Sequence, residues 1–295
     1  MPSPRVEATL NGPCSLSGRG YWSGKLNTLT FHPAPAGTGI QFRRGDIASA
    51  RAVPALTTNC IGMPLRTRLT DGFSNFDMIE HVMSALAGLQ IDNAIVECTE
   101  SEMPGFDGSS YPIALTLHQA GIEPQRETKA LFQPSKPIQI GDAEQFVRLE
   151  PPGADQSASL VVEYQLDYGA DSPIGIHTFT SECTPDTYLH SIAPARTFVT
   201  EQDAKRLQAN GMATHVTERD LVVFGPSGPI LNELRFEDEC ARHKALDLIG
   251  DLALTGVDLV GRLIARRSGH QMNEEMAKLI HAQMEVASGA PRRVA

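Results

Sequence analysis

Residues 232–251 read NELRFEDECARHKALDLIGD, and this stretch predicts a helix with one polar and one apolar side. His243, Asp247 and Asp251 recur every four residues, so a helix places them on one face. The opposite side carries an apolar stripe made of Ala241, Ala245, Leu248, Ile249 and Leu252. A histidine and an aspartate one turn apart can hold a metal ion between them. Such a pair is more often a polar face or a surface ion pair, so it indicates a metal site only with further ligands.

Glu80 and His81 supply the second element of a hydrolytic metal site. Such a site needs a histidine ligand and a carboxylate that takes a proton from water. With His243 and Asp247, His81 would complete the three nitrogen and oxygen ligands that are typical of catalytic zinc. The competing interpretation is a structural histidine near the start of a helix, which is the commoner case for a lone histidine.

His270 is the third candidate, in the sequence Ser268-Gly269-His270. We predict a turn here, directly before a helix. A histidine in this place can act as a general acid if a carboxylate such as Asp251 orients it. Taken alone, the motif fits an ordinary structural histidine equally well.

The rest of the chain alternates strand-like and helix-like stretches. Strand formers and turn residues predict strands at 26–31, 40–42, 91–97, 146–149 and 160–164, and they leave 61–76 unassigned. Apolar periodicity predicts helices at 77–88, 112–120, 200–209, 236–255 and 271–286, the first with Asp77 as its N-cap and Gly88 as its stop. Strands, helices, strands and helices in this order predict two α+β halves. No internal sequence repeat is visible.

Glycine, proline and charged residues are concentrated at 121–137, and this composition predicts a linker. We therefore expect an N-terminal α+β domain over residues 1–126, which carries Glu80 and His81. The C-terminal α+β domain then covers residues 130–295, and its candidate site residues are His243, Asp247 and His270.

Composition is that of an ordinary globular protein and argues against several classes. The chain has 295 residues, 41% of them hydrophobic, and a formal net charge of −10. This charge, and the lack of a suitable motif, argue against a nucleic-acid partner. No apolar run is long enough for a transmembrane helix, and the N-terminus lacks the apolar segment of a signal peptide. Five widely spaced cysteines without a CxxC pattern argue against disulfides, so we expect a cytoplasmic protein.

Five blocks of the sequence resemble the bacterial UDP-3-O-acyl-N-acetylglucosamine deacetylases and occur in that family's order. EHVMSALAGLQIDN at 80–93 is similar to the family's EH-x-x-x-ALAGLGIDN, and FDGS at 106–109 is similar to its MDGS turn. ARTF at 195–198 matches a third block. LRFEDECARHKALDLIGD at 234–251 resembles the long block LRFEDEFVRHKxLDxIGD, and SGH at 268–270, followed by Asn273, matches SGHxxN. The blocks together span most of the chain.

The resemblance implies a fold and an activity. The fold would be two domains of similar β-α-α-β topology in a layered sandwich, with the active site at the domain interface. The activity would be zinc-dependent hydrolysis of the N-acetyl group of UDP-3-O-acyl-N-acetylglucosamine, which gives acetate and a free amine during lipid A biosynthesis. The protein would thus be a hydrolase of an amide bond, and we expect it to act as a monomer.

The resemblance also implies a role for each matching residue. The implied zinc ligands are His81, His243 and Asp247, and by ligand type they would also accept iron(II). Glu80 would be the general base, and His270 the general acid with Asp251 as its orienting partner. Thr197 and Lys244 would stabilise the oxyanion or position the substrate.

The substrate carries a diphosphate, so an acidic chain needs local positive charge to bind it. Lys244, Arg266 and Arg267 lie near the motifs, and Arg267 stands where the family has a lysine. A single arginine is more often a solvated surface residue. The implied substrate contacts are Thr197, Phe198, Lys244 and Arg267.

Three segments depart from the family's pattern. Residues 20–24 read GYWSG in place of GLHSG, Val199-Thr200 replaces Gly-Phe, and residues 211–220 lack a GGSLDNA-like sequence. These departures fall in expected substrate contacts. They keep open a zinc amidohydrolase of the same fold that acts on a different acylated amino sugar. A non-catalytic sugar-nucleotide- or metal-binding protein is a third hypothesis, although binding alone would need neither Glu80 nor His270.

Overall fold

The computed structural model describes residues 4–153 and 159–287. Within these ranges, the N-terminal half contains ten strands, two α-helices and a 3-10 turn at Thr57–Asn59. The strands are β1 Val6–Leu10, β2 Cys14–Arg19, β3 Leu26–Pro33, β4 Ile40–Arg44, β5 Val53–Pro54, β6 Cys60–Met63, β7 Arg66–Thr70, β8 Asn75–Asp77, β9 Ala94–Cys98 and β10 Ile122–Thr128, and the helices are α1 Glu80–Gly88 and α2 Tyr111–Ala120.

The described part of the C-terminal half adds ten strands, four α-helices and a π-helical turn at Tyr188–Ile192. The strands are β11 Leu131–Phe132, β12 Ile138–Gly141, β13 Phe146–Glu150, β14 Leu160–Asp167, β15 Ile176–Glu182, β16 Phe198–Thr200, β17 Val222–Gly225, β18 Gly228–Ile230, β19 Asp258–Leu259 and β20 Gly261–Arg266, and the helices are α3 Pro185–Thr187, α4 Glu201–Ala209, α5 Glu239–Ala253 and α6 His270–Ala287. Across residues 4–153 and 159–287, no helix is both long and apolar enough to cross a bilayer.

Two five-stranded sheets share one topology. Their strand orders are β2-β3-β9-β4-β5 and β12-β13-β20-β14-β15. In each sheet the last strand in sequence takes the central place, antiparallel to one neighbour and parallel to the other. One helix precedes this strand and one follows it, α1 and α2 in the first half and α5 and α6 in the second. The fold is therefore α+β with a repeated topology, although the sequence shows no repeat.

The helices lie between the sheets. Helix α2 contacts β2, α5 contacts β14 and β15, and α1 contacts both α2 and α5. The contact between α1 and α5 is very close, because a Cβ atom on Gly250 would lie 2.1 Å from the carbonyl oxygen of Glu80. The Ser84 hydroxyl also donates to the carbonyl of Leu246 at 2.8 Å. This crossing brings the second residue of α1 next to the middle of α5.

Each half carries an insertion at the equivalent point, directly before its first long helix. The first is the sheet β6-β7-β8, between β5 and α1. The second is α4 with the sheet β16-β17-β18, between β15 and α5. Both insertions reach the cavity described below.

The predicted N-cap of the first helix is wrong. Asp77 is the last residue of β8, and its carboxylate accepts a hydrogen bond from the Arg68 guanidinium at 2.7 Å. Met78 has a φ of 60° and turns the chain between strand and helix. Helix α1 therefore begins at Glu80, with Ile79 as N-cap.

The stretch 121–137, which the composition predicted as a linker, contains two strands. Residues 122–128 form β10, which pairs antiparallel with β1, and 131–132 form β11, which pairs in parallel with β19. Most side chains of β10 are exposed, so its sequence lacks the apolar alternation of a half-buried strand. The unassigned stretch 61–76 forms most of the sheet β6-β7-β8. His270 is the first residue of α6 rather than part of a preceding turn.

Candidate active site

His81, His243 and Asp247 meet at the crossing of α1 and α5. One ligand atom of each lies within 4.8 Å of the other two. Oδ1 of Asp247 is 3.6 Å from Nε2 of His81 and 3.5 Å from Nε2 of His243. All three side chains are buried. Two imidazole nitrogens and one carboxylate oxygen thus surround a common point.

This group fits a metal ion. Oδ1 of Asp247 is buried, and no group in the described ranges donates a hydrogen bond to it. An unsatisfied buried carboxylate oxygen is costly, and a cation would satisfy it. Nδ1 of His243 lies 3.1 Å from the Ala195 carbonyl, which can only accept, so Nε2 keeps a free lone pair. Burial lowers the pKa of His243 to about 3, so this imidazole is neutral, as a ligand must be.

Lys244 pairs with the other oxygen of the same carboxylate. Its Nζ atom lies 2.5 Å from Oδ2 of Asp247. Burial alone would raise the pKa of Asp247, but the positive charge of Lys244 holds it well below its usual value. Asp247 is therefore ionised, and Lys244 stabilises the ligand carboxylate in addition to facing the cavity.

Glu80 lies beside His81 at the start of α1 and is buried. Its Oε2 accepts a hydrogen bond from the backbone N–H of Thr67 at 3.0 Å. Burial raises the pKa of Glu80, although the positive charge of His270 opposes the shift. A carboxylate with a raised pKa is a better proton acceptor near neutral pH.

His270 and Asp251 form a buried pair. Nδ1 of His270 lies 2.8 Å from Oδ2 of Asp251. The same oxygen accepts a bond from Asn273, and the Thr67 hydroxyl donates to Oδ1 at 2.6 Å. Burial alone would lower the pKa of His270, but the Asp251 carboxylate raises it to about 9. His270 is thus protonated at neutral pH, with Nε2 left to donate a proton.

A cavity of about 1100 Å³ is lined by Glu80, His81, His243, Asp247 and His270. The predicted substrate contacts Thr197, Phe198, Lys244 and Arg267 all line it. Arg266 does not, since its guanidinium lies 3.4 Å from Asp167 and 3.7 Å from Glu144. The two insertions also contribute apolar residues to the lining: Leu65, Met78, Val216, Leu221 and Val223.

The segment that carries Thr197 is fixed at both ends. The N–H of Thr197 donates to the Gly108 carbonyl at 2.7 Å, and its carbonyl accepts from Val222 at 2.9 Å. Next to it, the buried Arg196 guanidinium pairs with Glu239 at 2.8 Å, at the start of α5. The sequence predicted no role for Arg196 or Glu239, although both lie within blocks that resemble the family.

Two of the departing segments contact each other at one wall of the cavity. Nε2 of His215 lies 2.8 Å from the Gly20 carbonyl, and the Tyr21 hydroxyl donates to the Asp220 carbonyl at 2.6 Å. Trp22 lines the cavity and also packs under the guanidinium of Arg66. The departures at 20–24 and 211–220 therefore form a joint surface.

The amino-acid sequence is similar to enzymes of one family. The family profile described as UDP-3-O-acyl N-acetylglycosamine deacetylase matches residues 7–282. A UDP-3-O-acyl-N-acetylglucosamine deacetylase of Anaeromyxobacter sp. (strain Fw109-5) is 37% identical over 91% of this chain and 86% of its own. The enzyme of the same name from Chlamydia felis is 35% identical over 95% of this chain and 99% of its own. That from Citrifermentans bemidjiense is 33% identical over 92% and 87%. The chain belongs to the UDP-3-O-acyl N-acetylglycosamine deacetylase family.

Proposed function

We propose that this chain hydrolyses the N-acetyl group of UDP-3-O-acyl-N-acetylglucosamine with zinc as its metal, the deacetylation step of lipid A biosynthesis. The observation that carries the proposal is one cavity that contains a three-residue ligand group, a buried carboxylate and an aspartate-paired histidine. Two nitrogen and one oxygen ligand suit catalytic zinc, and iron(II) is the second metal that they accept.

The residues divide the reaction between them. His81, His243 and Asp247 would hold the metal, which would supply Lewis-acid polarisation of the amide carbonyl and a lowered pKa of water. Glu80 takes the proton of the attacking water, a role that its burial and raised pKa favour. His270 gives its proton to the departing amine nitrogen, because an unprotonated amine leaves poorly. Acetate and the free amine result.

Substrate binding uses the rest of the cavity. The Thr197 hydroxyl donates to the developing oxyanion, and backbone hydrogen bonds fix this residue on both sides. Lys244 and Arg267 supply the positive charge that a diphosphate needs in this acidic chain. Phe198 and the apolar residues of the two insertions offer a surface for the acyl chain.

We further propose that the protein is a cytoplasmic monomer of two domains, 1–126 and 130–295. Both halves of one chain contribute to the ligand group, so no second copy is needed to complete it. All five cysteines are free thiols, as is usual in a reducing compartment.

A second candidate is a zinc amidohydrolase of this fold that acts on a different acylated amino sugar. Side chains of the departing segments line the cavity and favour this candidate: Trp22, Ala213, Thr214, Val216, Thr217 and Glu218.

A substrate panel decides between the two. Acetate release is measured with UDP-3-O-acyl-N-acetylglucosamine, with UDP-N-acetylglucosamine that lacks the acyl chain, and with acylated N-acetylamino sugars that lack UDP. The proposal predicts the highest kcat/KM for the first compound, by at least tenfold. Faster turnover of another acylated amino sugar establishes the second candidate instead.

A further inference from the structure

Thr67 is a buried residue of β7 that contacts both carboxylates of the proposed acid–base chemistry. It is 1% exposed. Its backbone N–H donates to Oε2 of Glu80 at 3.0 Å, and its hydroxyl donates to Oδ1 of Asp251 at 2.6 Å. Glu80 begins α1 and Asp251 lies near the end of α5, so one residue joins the proposed base to the carboxylate behind the proposed acid.

The hydroxyl of Thr67 fixes the rotation of the Asp251 carboxylate. Oδ2 of Asp251 accepts bonds from both His270 and Asn273. A carboxylate held at one oxygen can still turn about its Cβ–Cγ bond, and the bond from Thr67 to the other oxygen prevents this turn. We propose that Thr67 is a positioning residue that holds Glu80 and the Asp251–His270 pair in one arrangement. This inference rests on the proposed function.

The small sheet β6-β7-β8 fixes Thr67 in turn. Thr67 is opposite Gly62 in the β6–β7 ladder, and its carbonyl accepts a bond from Ile79, the N-cap of α1. The N–H of Gly62 donates to the Glu274 carboxylate of α6 at 2.6 Å. Because α6 begins at His270, the sheet that carries Thr67 is tied to the helices of both the base and the acid.

Three variants of Thr67 distinguish the effect of its hydroxyl from the effect of its backbone N–H. Thr67→Val removes the hydroxyl and keeps the side-chain shape and the N–H, while Thr67→Ser keeps both donors. Thr67→Ala is made alongside, since its smaller side chain cannot clash. For Val and Ala we expect kcat to fall by about tenfold to a hundredfold, the usual effect of losing a residue that orients a ligand or catalytic group. KM and the metal content stay within about twofold, and Ser restores most of kcat.

Thr9→Val is the matched structural control. Thr9 is also buried, and its hydroxyl donates to Asn93 at 2.6 Å and accepts from Ala34 at 3.0 Å, away from the cavity. Like Thr67→Val, this variant loses a buried, hydrogen-bonded hydroxyl, and it loses stability for that reason. We expect its melting temperature to fall as in Thr67→Val while kcat stays at the wild-type value.

A readout that needs no substrate completes the experiment. In the wild type and in Thr67→Ser, the Nδ1 proton of His270 gives a downfield NMR signal from its bond to Asp251, and in Thr67→Val this signal broadens or disappears. Wild-type kcat in Val and Ala, or an unchanged signal, overturns the inference. If the wild type itself releases no acetate, the proposed function fails and the NMR signal alone decides the role of Thr67.

Discussion

At the scale of single residues, the two oxygens of Asp247 have different surroundings. Oδ2 accepts a bond from Lys244 at 2.5 Å, whereas Oδ1 faces His81 and His243 and has no hydrogen-bond donor in the described ranges. Lys244 keeps the carboxylate ionised, and Oδ1 is left for a cation. The site is thus prepared for a metal by the protein's own charges.

Loss of one ligand should therefore abolish tight metal binding. We expect the wild type to bind one zinc per chain and His243→Ala to lose at least tenfold in zinc affinity, because two ligands remain. His190→Ala is the control, since His190 is exposed and pairs with Asp186, away from the ligand group. Metal content after dialysis against a weak chelator measures both. Full zinc content in His243→Ala would show that the metal lies elsewhere.

The pKa of His270 gives a pH prediction for the metal-free protein. The Asp251 carboxylate raises the pKa of His270 to about 9, above the value of about 6.5 for an unperturbed histidine. The stabilisation from this pair is therefore complete below pH ~6.5 and is lost as pH rises through about 9.

NMR titration of the His270 Cε1 proton measures this pKa directly. In Asp251→Asn we expect a pKa below the wild-type value, because burial then acts without the opposing carboxylate. A wild-type titration near pH 6 would contradict the prediction.

The sequence predicted which polar side chains meet, but not what holds them. The four-residue spacing and the family resemblance named His243, Asp247, Glu80 and His270, and the structure brings them to one cavity. Their catalytic roles stay predictions. Thr67 could not be found, since its contribution is a backbone N–H and a hydroxyl placed by strand pairing across distant residues.

At the scale of elements, the crossing of α1 and α5 determines the geometry of the ligands. Gly250 allows it, because any side chain there would meet the backbone of Glu80. We expect Gly250→Ala to destabilise the metal-free protein by about 1–3 kcal/mol, the usual cost of overpacking, and to lower zinc affinity by separating the helices.

The matched control for this substitution is Gly12→Ala. A Cβ atom on Gly12 would have no neighbour within 4 Å. Urea unfolding and zinc titration measure both variants. A Gly250→Ala protein with wild-type stability and zinc affinity would mean that the helices are not held at this distance.

Long periodic helices were predictable, and short exposed strands were not. The apolar stripe of 236–255 predicted α5 to within three residues at each end. In contrast, β10 is mostly exposed and β6 to β8 are three to five residues long, so neither shows a clear period. Aspartate is a common N-cap residue, but Asp77 is the last residue of β8 and accepts a hydrogen bond from Arg68.

At the scale of the whole molecule, a charged cluster joins the first strand to both halves. Arg5 lies 2.6 Å from the buried Asp92 and 2.8 Å from Asp258 of β19. We expect Arg5→Met to destabilise the protein by about 1.5–3 kcal/mol, the range for hydrogen bonds to charged groups. Lys25→Met, which removes an exposed ion pair with Glu100, should change stability by less than about 1 kcal/mol. If urea unfolding gives equal losses of stability for Arg5→Met and Lys25→Met, this role of Arg5 is contradicted.

The order of elements predicted two α+β halves, while their repeated topology came only from the family resemblance. The two sheets have the same strand order with different residues, because a strand needs an apolar face rather than a particular sequence. Residues of both halves line one cavity, and we infer that an acetyl group is removed there with Glu80 as the base.

The most direct test is acetate release from UDP-3-O-acyl-N-acetylglucosamine by the zinc-loaded protein, with Glu80→Gln in parallel. Glutamine keeps the shape and can still accept the Thr67 bond, but it cannot take a proton. We expect turnover by the wild type and a loss of about 10²–10⁴-fold in kcat in Glu80→Gln at unchanged zinc content. Equal turnover by both proteins, or none by a folded, zinc-bound wild type, would contradict this inference.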